Sequence, residues 1–317
     1  MSPLEIVSFF DGRLGHEKQT RGVLDALGRL TPVRIETIRV APPNFKTVCL
    51  NWFNYLVSPA ARFIKSDCQA DLIIGTGTGT HLPMLVYKQK CGARVVTCMT
   101  PDFFLKGAID LCFVPRHDRQ KPAMNIFFTL GPPSTVLLSD AHDPGKGLIL
   151  VGGLDPKSHY WRSETVLKQV ENILSRNQRM QWTISSSPRT PRETIQQLER
   201  LAGQSSGAIF FRAEDTPAGW IEAQYAQNEV VWVTADSMSM IFEALTAGCR
   251  VGILPVKWKH RNNKFQKSID HLLENNYVTA YPSWLAEGGP MTKPGRLDEA
   301  SRCAREILRR WWPERLP

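Results

Sequence analysis

The sequence has no run of about 18 apolar residues, no Lys/Arg block of five or more, and no internal repeat or low-complexity segment. The first absence excludes a helix that crosses a membrane. The second, together with the lack of zinc-finger spacing and of an aromatic RNP-like string, argues against a nucleic-acid partner. Seven cysteines (Cys49, Cys68, Cys91, Cys98, Cys112, Cys249 and Cys303) are scattered without CxxC spacing. They are expected to be small core residues in a reducing compartment, with no zinc site, no disulfide framework and no cofactor. The opening LEIVSFF followed by DGRLGH lacks the pattern of a signal peptide, so a cytoplasmic location is expected. What the chain does have is 317 residues, 42% of them hydrophobic, enough for about two domains with real cores. Its net charge of +9 calls for an anionic partner, a nucleotide or an acidic membrane surface rather than nucleic acid.

Strand and helix signals alternate along the first half. LEIVSFF reads as a strand, EKQTRGVLDALGRL as a helix from Glu17, and VRIETIRV as a second strand. DLIIGTGTGT reads as a strand ending in a glycine-threonine turn, followed by a helix through Met84 to Lys90; ARVVTCMT and DLCFVPRHD are further strands. After Leu130 to Lys146, rich in proline, glycine and polar residues, the alternation restarts: GLILVGG, SETVLKQVENILSRN, MQWTISSS, TPRETIQQLERLAG, GAIFF, and then Val230 to Val256. This order predicts an α/β protein of two Rossmann-like parallel-sheet domains facing a cleft. The expected divisions are 1–138, a linker over 139–146, 147–300, and a tail over 301–317. Phe45 to Lys65 is basic and aromatic with no acidic residue, which suits either a membrane interface or a core helix pair. The tail sets Arg305, Arg309 and Arg310 beside Trp311 and Trp312, and either meets a membrane surface or packs back on the first domain.

Chemistry in such folds sits in the loops at strand carboxyl ends. In VVWVTADSMSMIFEALTAGCRVGILPV, Asp236, Ser237 and Ser239 suit the start of a helix. Met238, Ile241, Phe242 and Leu245 form its apolar stripe, and Gly248 ends it. Glu243 lies four residues after Ser239, on the same face. Gly152 and Gly153 end the first strand of this half; Ser185 and Ser186 end the second, with Arg189 behind them; Ala235 to Ser239 end the fourth. The three loops can converge on one anionic ligand, with the helix N-terminus taking a diphosphate and Glu243 a pair of ribose hydroxyls. The plainer alternative is that Ser237 caps a helix and Glu243 is solvated. In the first half, Gly12 and Gly15 permit close backbone approach, and Asp11 with His16 forms a titratable pair fit for general-base work or, more plainly, a turn cap and a surface residue. Gly75, Thr76 and Thr78 offer hydroxyls and N–H groups to a polar acceptor, or form a tight turn.

The strings DGRLGHEKQT, GTGTGT, VPRHD, SSSPRTP, VTADSMSMIFEA and NKFQKSIDHLLENN resemble, over most of the chain, the bacterial branch of a family named after a plant mitochondrial-fission factor. More broadly, the glycine-histidine loop after the first strand, the proline-rich linker, and the serine turn followed by helix, Glu243, Gly248 and strand are similar to the GT-B glycosyltransferases. The pattern is nearest to the peptidoglycan enzyme that adds N-acetylglucosamine to a lipid-linked acceptor. That resemblance implies donor binding by Ser237, Ser239 and Glu243, a catalytic side at Gly15 and His16, and no metal. It implies a glycosyltransferase at the inner membrane surface, taking a nucleotide-sugar donor and a lipid-linked or lipopolysaccharide-type envelope acceptor. The rival is a non-catalytic, membrane-associated adaptor. An epimerase or other NAD enzyme is disfavoured, because no GxGxxG follows an early strand and Tyr87 and Lys88 are adjacent rather than spaced as Tyr-x-x-x-Lys.

Overall fold

A computed structural model describes residues 1–41, 45–57, 69–260, 263–289 and 291–317. The chain divides into two compact units: Met1–Thr135 together with Asp298–Pro317, and Val136–Leu297. Among the described residues no helix is long and apolar enough to cross a membrane.

The first unit is a six-stranded sheet in the order β2-β1-β3-β4-β5-β6, all pairs parallel. Its strands are β1 (Leu4–Phe10), β2 (Val33–Arg39), β3 (Leu72–Gly75), β4 (Arg94–Thr97), β5 (Leu111–Pro115) and β6 (Ile126–Thr129). Strands β3 and β5 are buried at every position, as near-continuous apolar runs in a two-sided parallel sheet should be. Helix α1 (Leu14–Leu30) buries Val23, Leu24, Ala26 and Leu27, the spacing of one helical face, against the sheet. Helix α2 (Phe45–Val57) and helix α3 (Thr78–Cys91) complete the amino-terminal half. Of the expected aromatic segment over Phe45 to Lys65, residues 58–65 lie outside the described residues. Within α2, Trp52 and Tyr55 pack on the core while Phe53 and Leu56 are exposed.

The last helix, α10 (Glu299–Trp311), is capped by Asp298, whose side chain accepts from Ser301 N. It buries Ala300, Cys303, Ala304, Ile307 and Leu308 in the same core as Leu4, Leu27 and Phe113, and Trp311 and Trp312 are partly buried against that core. The return into the first unit begins at Asp298, three residues before the expected tail. The expected linker over 139–146 is also too long. Strand β7 (Asp143–Leu150) starts inside it, and Asp143 to Gly145 are exposed, so its first turn carries the polar, proline-glycine composition of a loop.

The second unit repeats the plan in the order β10-β9-β7-β11-β12-β14, again parallel throughout. Chain order here is β7, the short β8 (His159–Tyr160), α4 (Ser163–Arg176), β9 (Gln181–Ser185), α5 (Arg192–Gly203), β10 (Ala208–Phe211), α6 (Trp220–Gln227), β11 (Asn228–Thr234), α7 (Met238–Ala247), β12 (Arg250–Leu254), β13 (Lys257–Trp258), α8 (Lys264–Glu274), β14 (Val278–Ala280) and α9 (Tyr281–Glu287). Counted by chain position, the six long strands run 3-2-1-4-5-6, the doubly wound nucleotide-binding order.

Two tryptophans shape this sheet. Trp182 on β9 pairs with Gly147 on β7, and Trp232 on β11 pairs with Gly252 on β12. Each indole lies across its glycine, so that a Cβ there would run into the ring. Trp232 is 1% exposed and meets Trp284 edge-on at 5.0 Å and Tyr281 at 5.9 Å, leaving it no room to retreat. Gly252→Ala is therefore expected to destabilise the protein by about 1–3 kcal/mol through overpacking, measured as a lower midpoint in urea denaturation at unchanged slope.

Candidate functional site

In a doubly wound sheet a crevice opens at the carboxyl ends of the strands where the order reverses. In the second unit that point lies between β7 and β11, and the loops after those strands carry Gly152, Gly153 and Ala235 to Ser237. They are knotted together. Gly152 N donates to Thr234 Oγ1 at 2.7 Å, Gly153 N to Asp236 Oδ2 at 3.1 Å, and Leu154 N to Arg189 O at 2.9 Å. Thr190 Oγ1 donates to the carbonyls of Val151 and Gly152 and accepts from Ser187 N at 2.8 Å, which fastens the loop after β9 to the loop after β7. A Cβ at Gly152 would strike Asp236 and Ser237, and one at Gly153 would strike the Arg189 backbone. The two glycines thus let protein approach protein, and their N–H groups are already bonded. His159, 2% exposed, braces the same loop by donating from Nε2 to Gly153 O at 2.9 Å while Ser158 Oγ donates to its Nδ1 at 2.7 Å.

Two groups in this knot remain available. The Asp236 carboxylate, 1% exposed, holds the Arg189 guanidinium at 2.9 Å, and 44% of the Arg189 side chain is open to solvent. Ser237 stands at the N-cap of α7 but makes no capping hydrogen bond; its hydroxyl leans toward Asp236 at 3.4 Å. The first backbone bond of the helix is Ile241 N to Ser237 O, so the N–H groups of Met238, Ser239 and Met240 have no acceptor among the described residues. Uncapped N–H groups carrying the positive end of a helix dipole, next to an anchored guanidinium, form an anion-binding arrangement.

The structure brings together Gly152, Gly153, Arg189, Ala235, Asp236, Ser237 and Met238, and leaves Ser239 exposed on the first turn of α7. Ser185 and Ser186 are buried: Ser185 Oγ donates to Ser186 O, and Ser186 Oγ accepts from Ala213 N, so both serve the loop's own structure. Glu243 is 8% exposed and its carboxylate lies beside Tyr225, whose hydroxyl donates to Met240 O at 3.4 Å. Burial first, and that carboxylate second, push the Tyr225 hydroxyl well above its ordinary pKa, so it stays a donor. Glu243 and Ser239 therefore do not share an environment. Thr190, Thr234 and His159 were not legible as site residues, and only the threonine in SSSPRTP offered a signal.

The first unit reverses its strand order between β1 and β3, and there Asp11 and His16 meet. His16 Nδ1 lies 2.7 Å from Asp11 Oδ2, while Asp11 Oδ1 accepts from Arg13 N at 3.1 Å. The carboxylate fixes the proton on Nδ1, which leaves Nε2 as a proton acceptor; the side chains are 25% and 10% exposed. Gly77, with φ +114°, packs against both, and a Cβ there would collide with Asp11 and His16. Gly12 and Gly15 border open space, and Thr78 is exposed at the start of α3. Gly75 packs on Phe9 and Met84, and Thr76 is 2% exposed with its hydroxyl on Thr20 at 2.9 Å, so these two support the turn from below. Beneath the pair lies His81, fully buried, with Nε2 3.1 Å from Thr97 Oγ1 and Nδ1 without a hydrogen-bond partner among the described residues. Burial lowers its pKa to about 4, opposed by Asp102 and aided by His16. Burial also pushes the thiols of Cys98, Cys112 and Cys249 up to about 12, so they act as core side chains rather than nucleophiles.

Two parallel six-stranded units, each with polar loops at its reversal point, define an α/β protein of the GT-B fold. Residues 14–311 match the family described as Mitochondrial fission ELM1, and the chain belongs to that family. Its fold is similar to a Listeria monocytogenes protein designated a candidate UDP-N-acetylglucosamine 2-epimerase, at 13% identity and a TM-score of 0.59 over 97% of this chain and 95% of that one. It is also similar to S. aureus MnaA solved with UDP, at 12% identity and 0.56 over 99% and 98%, and to a Neisseria meningitidis UDP-GlcNAc 2-epimerase bound to UDP-GlcNAc, at 10% identity and 0.54 over 97% and 100%. At such identities the likeness is one of fold and not of reaction. No curated protein matches the chain.

His81 makes a pH test of the first unit. It is neutral when folded down to pH about 4 and takes a proton near 6.5 when unfolded, so the unfolded state binds more protons between these values. Stability is then expected to fall by up to about 3 kcal/mol as the pH drops through that window. Urea denaturation between pH 7 and 4 should show this slope, flattened in His81→Gln.

Proposed function

We propose that the chain is a sugar-nucleotide-using enzyme, specifically a glycosyltransferase that moves a sugar from a nucleotide diphosphate to an acceptor hydroxyl. The observation that carries the donor half is the uncapped first turn of α7 beside Arg189, which Asp236 holds in place. The diphosphate accepts from Met238, Ser239 and Met240 N–H and from the free edge of the Arg189 guanidinium. As the anomeric carbon–oxygen bond breaks, these groups stabilise the charge gathering on the leaving diphosphate, the role a metal plays in other transferases. Ser237 and Glu243 shape this turn from inside, Glu243 through Tyr225. UDP or UDP-GlcNAc bound in proteins of the same fold supports a nucleotide-sugar ligand.

The acceptor half is the Asp11–His16 pair. The acceptor hydroxyl attacks the anomeric carbon and passes its proton to His16 Nε2, and Asp11 stabilises the imidazolium that results. Gly12, Gly15 and Thr78, on the open side of the pair, face the acceptor. A lipid-linked or lipopolysaccharide-type envelope acceptor at the inner membrane surface agrees with the net charge of +9 and with the exposed Phe53 and Leu56 of α2.

Calorimetric titration with UDP-, GDP-, CMP- and ADP-linked sugars tests the proposal, and one of them is expected to bind. Arg189→Ala should weaken that sugar roughly tenfold to a hundredfold. Asp11→Asn and His16→Gln should leave donor affinity unchanged and lower kcat by about 10²–10⁴. If none of the four binds, the transferase reading fails and a non-catalytic adaptor of the fission family stands in its place.

A further inference from the structure

The first unit contains a cavity of about 490 Å³ that the catalytic proposal touches only at Thr78. Its walls are Phe9 at the end of β1, Val40 just past β2, Leu50 and Trp52 of α2, Leu82 of α3, and Leu105. The volume lies within the range of about 300–1,000 Å³ typical of small-molecule sites. Polar groups stand among these walls: Arg39, whose guanidinium lies 3.8 Å from Glu17 and whose side chain is 73% exposed, with Asn51, Thr78 and Asp102. A pocket walled mainly by flexible aliphatic side chains, with a solvent-facing guanidinium, fits an aliphatic chain that carries an anionic head.

Its position gives the chain a purpose. Gly77 packs against Asp11 and His16, and the next two residues, Thr78 and Gly79, line the cavity. One turn of α3 therefore separates a proton acceptor from an apolar pocket. Exposed apolar side chains accompany it: Leu50, which lines the pocket, with Phe53 and Leu56 further along α2, and Phe103 and Phe104, each 85% exposed, directly after Asp102.

We propose that this cavity binds the aliphatic chain of the acceptor lipid, with Arg39 beside the anionic head and the reacting hydroxyl presented toward His16. The chain-binding site stands on the cavity itself; its identity as the acceptor's rests on the transferase reading above.

The test is calorimetric titration of the full chain with octyl and decyl phosphate below their micelle concentrations. Burial of methylenes predicts a gain of about fourfold per CH₂, so decyl phosphate should bind about fifteenfold more tightly than octyl phosphate. Leu82→Trp fills the cavity from its wall. Asn51→Trp fills it from a partly exposed position on α2 and keeps the test open if the core variant fails to fold. Each is expected to weaken decyl phosphate at least tenfold while nucleotide-sugar binding, read on the same samples, is unchanged. Equal affinity for the two chain lengths, or undiminished binding to folded Asn51→Trp, overturns the pocket. Chain-length-dependent binding with no nucleotide sugar bound upholds the pocket and removes the transferase reading. Nucleotide-sugar binding without alkyl binding does the reverse.

Discussion

The second unit depends on a buried carboxylate. An ionised side chain taken out of water needs its charge met by hydrogen bonds and an opposite charge. Asp236, 1% exposed, finds Gly153 N–H and the Arg189 guanidinium on two other strand-end loops. Its demand for partners is what draws those loops together. Because Asp236 Oδ2 occupies the Gly153 N–H, the glycine loop serves this unit as a brace, and the N–H groups left without an acceptor among the described residues are those of the first turn of α7, beside the exposed edge of Arg189. Asp236 Oδ1 has no hydrogen-bond partner among the described residues.

The first unit solves a related problem with different means. Asp11, its side chain 10% exposed, is shared between Arg13 N–H and the His16 ring, so its carboxylate is directed at one imidazole nitrogen. Behind it, His81 is held neutral by burial and cannot compete for the proton near neutral pH. Exposure alone separates a partly exposed histidine paired with a carboxylate from a buried one held neutral, since both begin with the same chemistry.

Much of the fold was legible because parallel strands buried on both faces leave long apolar runs, and because helices separated them at regular intervals. The family was legible from its strings. Strand order was not: nothing in the chain says that β7 lies between β9 and β11, so the reversal points, which put Asp11 beside Gly77 and Asp236 beside Gly153, emerge only in three dimensions. Glu243 shows the limit of helical spacing. Its distance from Ser239 predicts a shared face, but α6 supplies Tyr225 from elsewhere in the chain, and burial against that hydroxyl decides its surroundings. The start of β7 has a linker's composition because Asp143, Pro144 and Gly145 are exposed, and a strand end in water can carry the residues of a loop. The cavity beside α2 had no sequence signature, since Phe9, Leu82 and Leu105 are ordinary core residues until the elements that bear them leave a gap.

Helix α10 has a consequence for the order in which the molecule can be made. The core of the first unit contains Ala300, Cys303, Ala304, Ile307 and Leu308, and Arg315 donates to the carbonyl of Ser2. On the ribosome these residues appear after the whole of the second unit has been synthesised. Domains usually fold from the amino terminus as they emerge, at about 5–20 residues per second. Here the sequence of events is inverted: the second unit, continuous in the chain, can close first. The amino-terminal sheet waits, at those speeds, roughly ten seconds or more with the α10 side of its apolar face uncovered. During synthesis, then, it is this older part of the chain whose apolar face stays open longest.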